Sequence, residues 1–431
     1  MLERLPYFLM LTLLAACSSQ VSASTIAPLV TPSATLSSAP NNPLLTPQQS
    51  FADWRASLRM QALSQGITPL LFEQAFAGLT PDPQVIAADQ SQPEFSRPVW
   101  EYLDSAVSPW RVARGKALLA EHAKTLRAIE AHYQVEPSVL VAVWGMESSF
   151  GQQIGSKNVI RSLATLAYEG RRSAFWREQL LAALHILQEG DTSLHGMIGS
   201  WAGAMGQTQF MPSTYRQYAV DFDGDGRRDV WQSSADALAS AANYLRLSGW
   251  QHGQPWGFEV QLPAHHFDYQ LADGEQRKTL AQWRALGVSL RSEEKASQDL
   301  EQQSATLFLP SGHQGPAYLF MDNFRSILKY NNSTSYALAI GLLSNTLAGD
   351  YRKPTNWPKH ERMLSRQERV ELQTLLNQLG FSSGNADGII GVNSRQAVRR
   401  FQQTQGLPAD GYPNDALLNS LRKVARQSLT Q

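Results

Sequence analysis

The sequence predicts a mainly helical α+β protein: a large helical unit interrupted by a small β-subdomain, then a small three-helix unit at the C-terminal end. Three observations carry this expectation. Between residues 51 and 250, apolar side chains recur at three- and four-residue spacing through one segment after another. Beyond Gly257 the pattern shortens to strand-like alternation in Phe258-Glu-Val-Gln-Leu-Pro and Ala305-Thr-Leu-Phe-Leu-Pro, with the apolar run Ala317-Tyr-Leu-Phe-Met close behind. From residue 365 a unit of roughly sixty residues, near the lower limit for an independent core, repeats an Asp-Gly turn at Asp387-Gly388 and Asp410-Gly411.

Composition bounds the function. At 431 residues the chain exceeds one ordinary core. Only 17% of it is charged, with 37 basic and 37 acidic residues, which argues against disorder and against nucleic-acid binding and leaves any charged surface local. Eleven Trp and thirteen Tyr supply flat faces suited to sugars, nucleobases or apolar ligands. A single cysteine, Cys17, rules out an intrachain disulfide.

Taken in order, residues 5–16 form a short apolar segment after Arg4, ending in Leu14-Ala15-Ala16-Cys17. It is too short to span a bilayer and has the form of a secretory signal. The tetrapeptide resembles a bacterial lipobox. That resemblance implies cleavage before Cys17, acylation of Cys17 and anchorage in a membrane; Ser18 points to the periplasmic face of the outer membrane of a Gram-negative cell. An ordinary cleaved signal is the alternative, and Glu3 weakens the positive region under either reading. Residues 18–50 are rich in Ser, Thr, Pro, Ala and Asn and read as a flexible tether.

Phe51-Ala-Asp-Trp54 opens the first amphipathic helix, and Gly66-Ile-Thr68 reads as its stop and the next start. Residues 107–132 and 162–187 each continue the helical spacing. Between them lies V-L-V-A-V-W-G-M-E-S-S-F-G, residues 139–151, an apolar helix after Pro137 with one carboxylate, Glu147. Burial beside Trp144, Met146 and Phe150 disfavours the charged form and raises the pKa of Glu147 into the range of a proton donor near neutral pH. The alternative places Glu147 in solvent, or in an ion pair with an Arg.

Residues 200–218, S-W-A-G-A-M-G-Q-T-Q-F-M-P-S-T-Y-R-Q-Y, mix glycines, amides and aromatics. The glycines let backbone approach a ligand, Ser200, Gln207 and Gln209 bond hydroxyl and acetamido groups, and Trp201, Phe210 or Tyr215 stack. A tight helix–helix turn with buried amides is the alternative. Next, residues 221–229 match the first nine positions of an EF-hand loop, with Asp221, Asp223, Asp225 and Arg227 at positions 1, 3, 5 and 7. Gln232 replaces the usual Glu at position 12, and Asp236 can take its place if the loop is longer. A structural calcium ion is expected; an empty Asp/Gly turn is the alternative. Residues 353–364 read as a linker before the C-terminal unit, 365–431.

Three stretches together resemble the lytic murein transglycosylases of the membrane-bound B type: residues 51–81, Trp144-Gly-Met-Glu147-Ser-Ser-Phe150-Gly151, and Gly203-Ala-Met-Gly-Gln-Thr-Gln209-Phe-Met-Pro212 with the acidic loop. The tail, with its Asp-Gly turns and Phe401-Gln402, is similar to the bacterial peptidoglycan-binding domain, although a protein–protein role stays open for it.

The resemblance implies a lysozyme-like core over 51–352 that cleaves the β-1,4 bond between N-acetylmuramic acid and N-acetylglucosamine in peptidoglycan and leaves a 1,6-anhydro end. Glu147 matches the catalytic position, acting as acid and then as base, without a catalytic cofactor. Ser200, Gln209, Phe210, Tyr244, Tyr330 and Tyr336 fall along the glycan cleft, with Tyr102, Arg171 and Arg172 less firmly placed. The partners implied are glycan strands and a membrane, not nucleic acid.

Overall fold

The computed structural model describes residues 49–90, 97–169, 172–264, 267–291, 298–350 and 357–428. The signal segment, Cys17, the tether to residue 48, Arg171 and part of the expected linker lie outside the described residues.

Helices start where short polar side chains take up free backbone N–H groups. Ser50 caps α1 (Phe51–Ser64) and Thr68 caps α2 (Pro69–Ala75). After α3 (Pro83–Gln90) and α4 (Val99–Ala106), Ser108 caps α5 (Pro109–Glu121), which like α2 begins on a proline whose missing N–H costs nothing there. The single helix expected over 107–132 is two: α5 gives way to α6 (Ala123–Tyr133) at His122, where ψ is 16° and the ring stands edge-on to Trp144 at 5.5 Å. After α7 (Pro137–Ser148), the stretch 162–187 likewise divides between α8 (Val159–Glu169) and α9 (Ser173–Glu189). Strands β1 (Lys157–Asn158) and β2 (Ile198–Gly199) pair antiparallel; α10 (Pro212–Tyr218) and α11 (Ser234–Leu247) follow.

The β-subdomain is one five-stranded antiparallel sheet. It comprises β3 (Gly257–Gln261), β4 (Asp273–Thr279), β5 (Ser289–Leu290), β6 (Ser304–Phe308) and β7 (Ala317–Phe320), in the order β4-β6-β7-β3-β5. Phe258 and Leu307 both stand opposite Leu319, while α12 (Leu280–Ala285) lays the fully buried Trp283 over the sheet; α13 (Gln298–Glu301) leads into β6. The chain then returns to helix in α14 (Asp322–Tyr330) and α15 (Thr334–Leu347).

The helical unit has two cores. One gathers α7 and α15 with parts of α5, α6, α11 and α14; the other gathers α8 and α9 with α1 and α2. Residues 139–145 of α7 are buried all round, as an uninterrupted apolar helix requires. Tyr330 packs against both cores, so the seam between them reaches the surface beside it.

The C-terminal unit is a three-helix domain of α16 (Arg366–Gln378), α17 (Val392–Thr404) and α18 (Asp415–Ser428) around Leu372, Leu376, Phe401, Leu418 and Leu421. Ser365 and Glu368 close a reciprocal cap on α16. It docks on the β-subdomain: Arg399 donates to the Ala272 carbonyl at 2.9 Å, Arg395 covers the Phe308 ring at 5.6 Å, and Asp410 meets His313. Among the described residues no helix is long and apolar enough to cross a membrane.

Candidate active site

Glu147 sits in the last turn of α7, where the unpaired carbonyls of the helix end also disfavour a negative charge. The chain immediately reverses. Ser149, Phe150 and Gly151 take positive φ of 49°, 61° and 80°, a strained turn held by Ser148, whose hydroxyl donates to the Gln207 carbonyl at 2.8 Å and accepts from the Gly151 N–H. Phe150 folds back on α7 only because residue 145 is glycine; a Cβ there would lie 2.7 Å from its ring.

The Glu147 carboxyl is enclosed by protein, although the residue keeps an opening to the cleft. Burial raises its pKa to about 7, and the Tyr336 hydroxyl, donating to Oε1 at 2.5 Å, offsets only part of that. Among the described residues no cation pairs with Glu147. The ion-pair alternative for this residue is therefore not realised here.

Three tyrosines from three helices gather around the carboxyl. Tyr336 comes from the first turn of α15, capped by Ser333, and is fully buried. Tyr330 ends α14 and donates to the Thr208 carbonyl at 2.8 Å. Tyr102, from α4, has a buried hydroxyl without a hydrogen-bond partner among the described residues. Burial holds all three far above the ordinary tyrosine pKa and the Glu147 charge adds to it, so they stay neutral donors. Tyr244 and Phe210 extend this wall, with ring centroids 4.9 and 5.7 Å from Tyr330.

The loop after β2 crosses the same region. Ser200 Oγ accepts the Ala204 N–H at 3.0 Å, and Gln209, at φ 51°, donates to the carbonyls of Gly206 and Ile154. Packing requires the glycines here: a Cβ on Gly206 would stand 2.6 Å from the Val230 carbonyl, and one on Gly203 2.6 Å from Leu163. Arg172 is exposed at the start of α9, with its guanidinium over Phe175 and Trp176. No contact among the described residues joins it to Glu147.

Arg111 was not foreseen. Half-buried on α5, it donates to the carbonyls of Ser105, Ala106 and Gly145 and so ties α4, which carries Tyr102, to α7, which carries Glu147. An arginine in an amphipathic helix gives no sequence signal of such a task.

In the acidic loop, Asp221, Asp223 and Asp236 bring carboxylate oxygens within 4.8 Å of one another. Asp236 is buried and accepts the N–H groups of Phe222, Asp223 and Asp229, yet burial and the neighbouring Asp223 keep its pKa raised. Carboxylates crowded in this way suit a hard cation. Asp225 turns aside to pair with Arg227 at 3.1 Å and is not part of that cluster.

Two domain families match the chain. The Transglycosylase SLT domain family covers residues 50–345, and the peptidoglycan binding domain family covers residues 365–421. The chain belongs to the SLT transglycosylases. The membrane-bound lytic murein transglycosylase B of Escherichia coli K12 is 32% identical over 251 residues, which is 57% of this chain and 66% of that enzyme. The crystal structure of SltB3 from Pseudomonas aeruginosa in complex with NAG-anhNAM-pentapeptide is 57% identical, has a TM-score of 0.84 and covers 87% of this chain and 100% of its own. The Escherichia coli lytic transglycosylase Slt35 in complex with calcium is 27% identical at a TM-score of 0.59, covering 68% of this chain and 92% of its own. This transglycosylase thus stands among the peptidoglycan lytic transglycosylases with a lysozyme-like helical fold, and it carries a peptidoglycan-binding domain behind the catalytic one.

Proposed function

We propose that Glu147 alone carries both proton transfers of the transglycosylase reaction. The observation behind this reading is a buried carboxyl at a pKa of about 7 that is perturbed by burial and one tyrosine hydroxyl and by no second carboxylate. A glycosidase that uses water or a covalent intermediate needs two carboxyls across the scissile bond. Here the protonated Glu147 gives its proton to the glycosidic oxygen between N-acetylmuramic acid and N-acetylglucosamine as the C1–O bond breaks. The C6 hydroxyl of the same muramoyl residue then attacks C1 and returns its proton to Glu147, closing a 1,6-anhydro ring without water. Supplying the nucleophile within the substrate replaces a bimolecular step by an oriented intramolecular one.

In this reading Tyr336 orients the carboxyl, Tyr102 and Tyr330 offer neutral hydroxyls to the sugar, and Phe210 and Tyr244 form a face on which it rests. Ser200 and Gln209 bond the strand from the loop after β2, and Arg171 and Arg172 add charged donors to it. Asp221, Asp223 and Asp236 hold a structural calcium ion, with the Arg227 carbonyl and Asp225 as further ligands if the loop closes around it. Cys17 carries the lipid that anchors the protein to the outer membrane, residues 18–50 tether the catalytic domain at 51–352, and residues 365–431 hold the wall.

The test is mass spectrometry of fragments released from purified peptidoglycan by a soluble form starting at Ser18, beside Glu147→Gln. Anhydromuramoyl ends from the unmodified protein and none from the variant are expected. Reducing muramic ends would overturn the single-carboxylate reading, because water would then be the acceptor.

A further inference from the structure

A second concave site lies between α1, α9 and α10, and none of the residues gathered around Glu147 lines it. It is a half-open hollow of about 410 Å³, room for a ligand of one or two amino acids. Its walls follow helical spacing. Arg177, Glu178, Leu181 and His185 share one face of α9, Gln61 in the last turn of α1 lies one turn before Gln65, the residue that ends that helix, and Ser213 and Arg216 are one turn apart on α10.

The lining combines an apolar floor of Ala174, Leu181 and Ala182 with polar and charged side chains around it. Arg177 is held in place by Gln61 at 2.6 Å and Ser57 at 3.2 Å, and Arg216 leans on Glu189 at 3.3 Å. The His185 ring, the Ser213 hydroxyl, the Gln65 amide and Glu178 have no hydrogen-bond partner among the described residues. Burial lowers the pKa of His185, the charge of Arg216 lowers it further, and Glu189 opposes them weakly. The hollow therefore brings together two guanidinium groups, one of them paired with Glu189, the acidic Glu178 and unused donors.

We propose that this hollow binds the carboxylate end of a short peptide, with Arg177, Arg216 and His185 facing the carboxylate and Gln65 and Ser213 bonding the adjoining peptide group. A monoanion of this size suits the site better than phosphate, because Glu178 in the lining repels a dianion more strongly than a single carboxylate and is an acceptor for a peptide or amino N–H. The assignment goes beyond the glycan cleft and does not depend on it. Free peptides and peptides attached to a wall strand both carry this chemistry.

The experiment is an NMR titration of the His185 imidazole in the soluble form starting at Ser18, with alanyl-alanine as probe and its C-terminal amide as control; His185→Gln identifies the resonance. The dipeptide is expected to shift the resonance saturably and raise the pKa of His185, the amide to do neither, and Arg216→Gln to weaken binding about tenfold. No saturable shift with the dipeptide, or an equal shift with the amide, overturns the proposal. That contrast is made on the unmodified chain and so holds even if Arg216→Gln fails to fold. A soluble wall fragment bearing a peptide that displaces the dipeptide assigns the site to wall-linked peptides, and one that leaves it bound assigns it to free peptides; the carboxylate site stands in both cases.

Discussion

Glu147 and Asp410 are both enclosed carboxylates, and their surroundings push them in opposite directions. Glu147 has one donor, Tyr336, and burial carries it up to about 7. Burial would raise Asp410 as well, but the His313 ring, the N–H groups of His313 and Tyr412 and the Gln402 amide all donate to it, and its pKa falls below the ordinary value. Donor count decides the outcome, because each hydrogen bond to the charged form offsets part of the desolvation cost. A carboxylate left short of donors is poised for proton transfer, and one saturated with donors is a fastener between domains.

The comparison can be broken most sharply by neutralising the acid. Glu147→Gln is expected to lower glycan-strand solubilisation by about 10³-fold or more with an unchanged far-ultraviolet spectrum, since the variant keeps the shape but has no proton to give. If solubilisation falls less than tenfold, Glu147 is not the acid.

Asp410→Ala comes next. It strands the donors of His313 and Gln402 and should cost about 3 kcal/mol in chemical denaturation at neutral pH. Because the folded pKa of Asp410 lies below its ordinary 3.8, its stabilising contribution is present above that pH and is lost as pH falls through the folded value; the deficit of the variant should shrink in acid. His313 has the opposite sign: its pKa is raised, first by the Asp410 hydrogen bond, so its contribution is complete below 6.5 and fades as pH rises through the folded value.

The stability of Glu147→Gln should mirror that of Asp410→Ala. Between pH 4.5 and about 7 the folded chain keeps the Glu147 proton while the unfolded chain releases it, so the parent loses stability as pH rises through this window. Relative to its parent, Glu147→Gln should gain about 2 kcal/mol between pH 5 and pH 8, a figure reduced for the opening to the cleft. A flat difference across that range would mean that the carboxyl is not desolvated.

The smallest effect is expected from Tyr336→Phe. Removing the one donor to Glu147 should raise the carboxyl pKa further, move the basic limb of the kcat/KM profile to higher pH and reduce the rate about tenfold. An unmoved basic limb would separate Tyr336 from the titrating group.

Much of this was legible in local pattern. An apolar helix with a single acid marks Glu147, short alternating runs mark β3 and β6, and a short apolar run marks β7. Strand β4 was invisible because Asp-Gly-Glu-Gln-Arg-Lys-Thr has no apolar face; it stands at the edge of the sheet and is recruited by pairing with β6. The split at His122 was equally hidden, since no Pro or Gly marks it. Arg111 and the hollow beside His185 rest on contacts between helices that periodicity does not report.

By itself, then, the sequence determined where most of the helical stretches and the apolar strands lie, that one carboxylate stands alone in an apolar helix and that two Asp-Gly turns recur near the C-terminal end, because each of these depends on neighbours within a few residues. Only the tertiary structure decided that Tyr102, Tyr330 and Tyr336 converge on Glu147, that Asp410 reaches His313 ninety-seven residues away, and hence which carboxylate is raised and which is lowered. A pKa is set by whatever lies within a few ångströms in space, and packing brings distant parts of the chain into that range.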